Sequence, residues 1–486
     1  MNPFKKLAGQ ALVYGLGTIL PRLLNFALLV PLYTYVFDPE TYGQFTELYA
    51  YVALLLALLT YGMETTFFRH ANKENFSKVY GNIMTSILST TLIFVIAIAT
   101  AHPYLANAID YHNKEIYILL MGLIVAVDAI TAVPFCVLRQ RNQPKRFSLI
   151  KILNVCTNVA INLVVLLWMP DTATAIANRL FGPEAGLLTW VFLSNLIASL
   201  LNIVLLYPEF RQIRLQWDSQ LMKRLLGYSL PLMLVSLIGM INEVADKIVI
   251  KYMIDDSDSA MRQLGIYGAN YKLAVLMTIF VQMFRFASEP FFFAKAKDKE
   301  SPELFGNVMT IFFIFGLIIL LGVTLYIDLF KHLIGPQYWE GLHIVPLVLL
   351  ANLFLGVVYN LSMWYKLSDR TSAGTIITAI GAVVTIVSLC ALVPIIGYLG
   401  AALAHLICYT VIMVVSYVWG QKVFPIPYQV GSCMLYLAIA VGLIVANQLI
   451  QPESPWVKYI LSSVYLVSFS AIAYFKDLRS LFAKQY

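Results

Sequence analysis

Runs of roughly 20 predominantly apolar residues, the length an α-helix needs to cross a bilayer, follow one another along almost the whole chain. A single globular core stops growing near about 250–300 residues, yet the apolar excess here is spread over 486 residues. Only 12% of residues are charged and 60% are hydrophobic, against roughly a quarter charged in soluble domains, so lipid must be the solvent for most of the surface. Fourteen runs are expected as helices, near 10–36, 42–66, 79–101, 115–138, 148–169, 186–207, 224–250, 265–293, 303–327, 341–365, 373–393, 397–420, 430–450 and 456–475. The fold class that follows is an all-α polytopic membrane protein.

The connecting loops test this count, because lysine and arginine gather on the cytoplasmic side. Loops at even distance from the N-terminus hold about 23 of the 33 basic residues. Among them are Lys5, Lys6, Lys73, Arg139, Arg141, Lys145, Arg146, Lys297, Lys299 and Lys484. The opposite side holds Lys114, Arg179, Lys251, Arg262, Lys331 and Lys458. Both termini are therefore expected in the cytoplasm. The net charge of +7 is absorbed by this loop pattern, which leaves none for nucleic acid. The five cysteines fall inside apolar runs without metal-ligand spacing. The first run is too long for a signal peptide and is retained as a helix.

The chain also repeats itself. A slide of 225 positions lays Tyr42-Gly43 on Tyr267-Gly268, Glu64 on Glu289, Phe67-Phe68 on Phe292-Phe293, and Gly81-Asn82-Ile83-Met84-Thr85 on Gly306-Asn307-Val308-Met309-Thr310. A slide of 217 matches Asn25, Tyr35 and Asp38 to Asn242, Tyr252 and Asp255. One repeat spans six helices, an even number, so the copies insert the same way up as a parallel repeat. The expected organisation is a six-helix lobe over 1–219, a second over 220–425, and two additional helices with a short cytoplasmic tail over 426–486.

Ionisable residues at mid-helix cost about 2.5–3.5 kcal/mol each on insertion scales, so they point to a cavity, a partner or a function. Helix 1 carries Arg22 and Asn25 between Pro21 and Pro31, with no acidic residue within a turn of Arg22 along the sequence. Helix 7 carries Glu243, Asp246 and Lys247 on one face; helix 8 carries Thr278, Gln282, Arg285 and Glu289, with Lys272 near its outer end. Helix 5 carries Lys151, Asn154, Asn158 and Asn162 as a polar stripe, and Glu47, Asp128 and His405 stand singly. Bland readings exist for several of these. Glu243 and Lys247 form an i, i+4 pair that neutralises itself, the asparagine stripe suits interhelical hydrogen bonds, and Glu64 suits a snorkelling helix end.

Catalytic signatures such as a P-loop, GxSxG or HExxH do not occur. Asp256-Ser257-Asp258 spells a metal-binding DxD, but in a short loop with no nucleotide fold around it. An enzyme is therefore not expected.

The opening Leu20-Pro21-Arg22-Leu23-Leu24-Asn25, the Phe37-Asp38-Pro39-Glu40-Thr41-Tyr42-Gly43 turn into helix 2 and the late Gly397-Tyr398-Leu399-Gly400-Ala401 turn resemble the oligosaccharide flippases of the multidrug/oligosaccharidyl-lipid/polysaccharide (MOP) superfamily. The resemblance implies a MATE-like fold in a bacterial inner membrane, with no bound cofactor, acting as a single chain alongside the polysaccharide polymerase machinery of cell-surface polysaccharide (O-antigen, lipopolysaccharide) synthesis. The implied cargo is a polyprenyl-pyrophosphate-linked oligosaccharide, carried by alternating access from the inner to the outer leaflet. Arg22, Lys247, Arg285 and Lys272 are candidates for the pyrophosphate, Asn25, Asn154 and Asn158 for the glycan, and Glu243, Asp246 and Asp128 for coupling to H+ or Na+. A lipid-linked peptidoglycan precursor flippase and a cation-coupled drug exporter are the alternatives within the superfamily, and a polytopic sugar transferase is the alternative outside it.

Overall fold

The computed structural model describes residues 15, 17, 19–71, 74–295, 301–368, 370–450 and 454–479. Lys5, Lys6, Lys73, Lys297, Lys299, Lys484 and the side chain of Glu289 lie outside the described residues. Among those described, every regular element is helical. Thirteen helices are long and apolar enough to cross a membrane: α1 Ile19–Val36, α2 Pro39–His70, α3 Phe76–Ala108, α4 Glu115–Gln140, α5 Pro144–Trp168, α6 Leu188–Leu205, α7 Ser219–Met253, α9 Pro302–Leu325, α10 Pro336–Leu367, α11 Thr371–Ile396, α12 Tyr398–Val423, α13 Val430–Leu449 and α14 Pro455–Leu478. A pair bent by 48°, Ser257–Leu273 with Val275–Phe286, is labelled α8 and gives fourteen when counted as one span. Two features differ from expectation. The loop after α5 contains a short helix, Pro170–Phe181, and α8 begins at Ser257, so the DxD sequence is its N-terminal turn.

The chain divides by contacts into two compact units, Met1–Tyr252 with Ser257–Gly265, and Met253–Asp256 with Ile266–Tyr486. Helix α7, which the sequence repeat sets at the head of the second lobe, groups with the first unit. Its N-terminal end inserts Leu221, Met222 and Leu225 into a core built from Tyr61, Phe67, Tyr80 and Val137. Its C-terminal end is tied down by Lys251 to Glu47.

The entry to α2 explains the Asp-Pro-Glu-Thr-Tyr-Gly turn. Asp38 caps the helix, its Oδ1 accepting the Thr41 N–H at 2.8 Å, Pro39 occupies the first helical position, where no N–H is needed, and Glu40 lies in the positive first turn. Farther along, Tyr61 (φ 32°) and Gly62 (φ 73°) break α2 in left-handed conformation. A Cβ on Gly62 would lie 2.8 Å from the Ser229 carbonyl oxygen of α7, so glycine is required there for conformation and for space. In α1 a π-helical turn, Asn25–Leu29, precedes Pro31. It absorbs the missing N–H and the ring that would otherwise collide with the preceding turn.

The GN-x-MT repeat does the same mechanical job in both units. Gly81 of α3 lies against the Arg214 carbonyl, Asn82 Oδ1 accepts the Asp218 N–H at 2.6 Å, and Thr85 Oγ1 accepts the Gln216 N–H at 3.2 Å. In the second unit a Cβ on Gly306 of α9 would lie 2.7 Å from the Pro427 carbonyl oxygen, and Asn307 Oδ1 accepts from Gln429 Nε2 at 3.4 Å. Each motif thus clamps the extended segment that follows the sixth helix of its repeat.

In the second unit α10 packs against α8, α9 and α12, while α13 and α14 cover α9. Ser462 Oγ of α14 donates to the Leu325 carbonyl at 3.1 Å, and Tyr326 stacks on Tyr459 with centroids 6.2 Å apart. Asp328, just beyond α9, bonds Lys331 at 2.8 Å and also Lys458. Partial burial works to raise this carboxyl, and the two lysines outweigh it, holding the group below its ordinary value.

Candidate functional site

A polar cavity of about 320 Å³ lies within the first unit, among α2, α4, α5 and α6. Helix α4 lends Asp128, Thr131, Phe135 and Arg139, spaced three and four apart so that they share a face. Helix α5 contributes Phe147, Lys151 and Asn154 at i, i+4 and i+7, and α6 contributes Asn195, Ser199 and Asn202 with the same spacing. The broken α2 brings Leu56 and Glu64 to the wall. Ser199 Oγ donates to Asp128 Oδ1 at 2.8 Å. The Lys151 ammonium sits 4.0 Å from the Phe135 ring centroid, an attraction to the π face that offsets some lost hydration. Glu64 receives the Cys136 thiol at 3.7 Å and faces this interior rather than the membrane surface. Arg69 is instead stacked over Tyr228 at 4.0 Å.

Of the residues singled out in sequence, Glu64, Asp128, Lys151 and Asn154 line this cavity, and Asn154 also donates to the Ala198 carbonyl at 2.7 Å. Asn158 is held in a knot with α6: its Oδ1 accepts from Ser194 Oγ at 2.8 Å and from Asn162 Nδ2 at 2.9 Å. The C-terminal part of the asparagine stripe therefore binds helix to helix. Arg22 is exposed on α1, and Asn25, one turn on, has a buried Oδ1 with no hydrogen-bond partner among the described residues. Lys247 does not pair with the Glu243 carboxylate. Its ammonium lies 3.0 and 3.1 Å from the two oxygens of buried Asp246 and bonds the Glu243 carbonyl at 2.9 Å, leaving the Glu243 side chain exposed. Arg285 is exposed with its guanidinium 4.8 Å from the Tyr359 ring centroid, and Lys272 is exposed on α8. His405 lies in a packed aromatic setting, edge-on to Tyr271 and Tyr409.

Two clusters escaped the sequence reading. One is the Asn195, Ser199, Asn202 stripe of α6, whose three-and-four spacing was a readable signal. The other is the pair Glu47 and Lys251, 3.3 Å apart with side chains 0% and 3% exposed. Tyr111 donates to the same carboxylate at 2.7 Å and Tyr51 at 3.2 Å.

A family model described as "Polysaccharide biosynthesis protein" matches residues 7–294, more than half of the chain. The chain belongs to this polysaccharide biosynthesis family. A search of curated proteins finds no match. Among solved structures, "Lipid II flippase MurJ, inward closed conformation" aligns with a TM-score of 0.71 at 13% identity, covering 95% of this chain and 99% of that one. An inward-facing multidrug resistance MATE transporter of the MOP superfamily aligns with a TM-score of 0.65 at 14% identity, over 85% of this chain and 97% of that one. The MATE multidrug transporter DinF-BH gives 0.62 at 15% identity, over 87% and 96%. At such identities the likeness is one of fold, and the fold of this polysaccharide biosynthesis protein is that of the MOP superfamily.

Proposed function

We propose that the protein is a flippase that moves a polyprenyl-pyrophosphate-linked oligosaccharide from the inner to the outer leaflet of a bacterial cytoplasmic membrane, by alternating access, with both termini in the cytoplasm. The observation that carries this reading is the polysaccharide biosynthesis family match over residues 7–294 in a chain with the MOP transporter fold. The residues suit the cargo. Arg22, Arg285 and Lys272 are cations on membrane-spanning helices, and a pyrophosphate needs fixed positive charge inside the bilayer; the charge of Lys247 is taken up by Asp246. The isoprenoid tail needs only lipid. The cargo would come from and go to polysaccharide assembly machinery, with membrane lipids as the remaining partners.

Arg22 is the residue assigned to the pyrophosphate. In proteoliposomes loaded with lipid-linked glycan, Arg22→Ala should lower the relocation rate about tenfold or more, whereas Arg22→Lys keeps the charge without the planar fork and should retain part of it. Normal transport by well-folded Arg22→Ala would remove Arg22 from the site. Running the assay with a surface-polysaccharide repeat unit and a lipid-linked peptidoglycan precursor side by side separates the two cargoes.

Glu243 is the carboxylate best placed to couple transport to H+ or Na+. Asp246 is neutralised by Lys247, and Asp128 is held by Ser199 within the cavity of the first unit. Glu243→Gln should abolish the response to an imposed proton or sodium gradient while lipid-linked glycan still binds. A variant whose transport follows the gradient as the parent protein does would end this assignment.

A further inference from the structure

The cavity within the first unit has the chemistry of a ligand site that pyrophosphate capture does not use. Its walls carry two carboxylates, Glu64 and Asp128, against two cations, Arg139 and Lys151. An anion would meet both acids and a bare cation both bases, so the balance favours a neutral guest. Asn202 is 4% exposed, lines the cavity, and has an Oδ1 with no hydrogen-bond partner among the described residues. Its amide therefore keeps an acceptor that no described residue uses, at the wall of a polar space. Phe135 and Phe147 add aromatic carbon to the lining beside these groups. A volume of about 320 Å³ lies at the lower end of small-molecule sites. Paired donors and acceptors, aromatic carbon and no net charge together describe a pyranose, whose hydroxyls both give and take hydrogen bonds and whose C–H face lies on such carbon.

We infer that this cavity is a sugar-binding subsite that holds one neutral sugar ring of the carried glycan, with Asn202 accepting a hydroxyl and Asp128, Arg139 and Lys151 completing the ring of contacts. The inference rests on the flippase reading and deepens it by naming the part of the cargo that enters the first unit.

The full-length protein in lipid nanodiscs, assayed by equilibrium dialysis with labelled methyl glucoside and N-acetylglucosamine, tests it, with pyrophosphate and tetramethylammonium as the anionic and cationic probes. At least one neutral sugar should bind, and neither charged probe should displace it. Ala132→Phe, which fills the space, and Asn202→Leu should each weaken binding at least tenfold, while Gly442→Ala, in the other unit with nothing within 4 Å of a built Cβ, leaves it unchanged. Ser199→Ala, a small change within the wall, provides a second weakened variant should Ala132→Phe fail to fold. Absence of sugar binding to a protein that still relocates lipid-linked glycan, equal binding by folded Ala132→Phe, or displacement by pyrophosphate or tetramethylammonium overturns the subsite. Sugar binding that follows these variants in a protein that moves no lipid-linked glycan would instead keep the subsite and discard the flippase reading.

Discussion

Lys251→Met should unfold the solubilised protein at a clearly lower temperature than any surface substitution does. The Lys251 ammonium lies 3.3 Å from Glu47 and also bonds the Ile109 carbonyl, and the Glu47 side chain is 0% exposed. Taking one partner from a buried ion pair leaves the other charge uncompensated in a medium that solvates it poorly, a loss of about 3–5 kcal/mol. The two tyrosine hydroxyls on the carboxylate, at 2.7 and 3.2 Å, stabilise it only in part. Three segments are joined here, α2 through Glu47, α7 through Lys251 and the turn after α3 through Ile109 and Tyr111, so the loss should loosen this end of the unit as a whole. The double variant Glu47→Gln/Lys251→Met removes both charges and should recover most of the stability, which makes the coupling measurable. Thermal unfolding followed by tryptophan fluorescence reads both effects. An unchanged midpoint for the single variant would show that the pair does not hold these segments.

Gly43→Ala and Gly265→Ala form the second test. α2 and the first half of α8 cross within the first unit at these two glycines. A Cβ on Gly43 would overlap the Met261 carbonyl oxygen, and one on Gly265 the Pro39 carbonyl oxygen. Both obstacles are backbone, which cannot swing aside as a side chain does, so the helices must separate. Each variant should lose at least about 1–3 kcal/mol, the range of an overpacked core, and Gly43→Leu more than Gly43→Ala. Gly322 of α9 and Gly442 of α13 are helical glycines with nothing within 4 Å of a built Cβ. Alanine there should be neutral or raise stability by a few tenths of a kcal/mol up to about 1 kcal/mol, because it restricts the unfolded chain. Equal unfolding midpoints for all four alanine variants would show that the crossing is not close-packed.

The spanning helices were legible in the sequence, because they follow from local rules. Lipid requires every span to satisfy its own backbone hydrogen bonds over a fixed thickness, so a helix appears as an apolar run of fixed length. The repeat was readable at Gly81-Asn82 and Gly306-Asn307 because the clamps these residues form need glycine for close approach and asparagine for its carbonyl, leaving little freedom to diverge. The Asp38-Pro39-Glu40 turn was noted in the sequence only as the entry to helix 2, and its capping role became visible in the structure. Which charges meet was decided only by tertiary structure. Glu47 and Lys251 stand more than two hundred positions apart, one resembling a lone polar residue within a span and the other a loop cation, and no periodicity connects them. Lys247 sits one turn from Glu243, as a self-neutralising pair would, yet its ammonium bonds Asp246, its neighbour in sequence, because that carboxylate is buried beside it while the Glu243 side chain turns outward. The polar cavity is a middle case. Each of its stripes is visible on its own helix, but their convergence depends on α4, α5 and α6 packing with those faces inward, and pairing among helices in lipid is set by close contacts and interhelical hydrogen bonds that a hydropathy pattern does not encode.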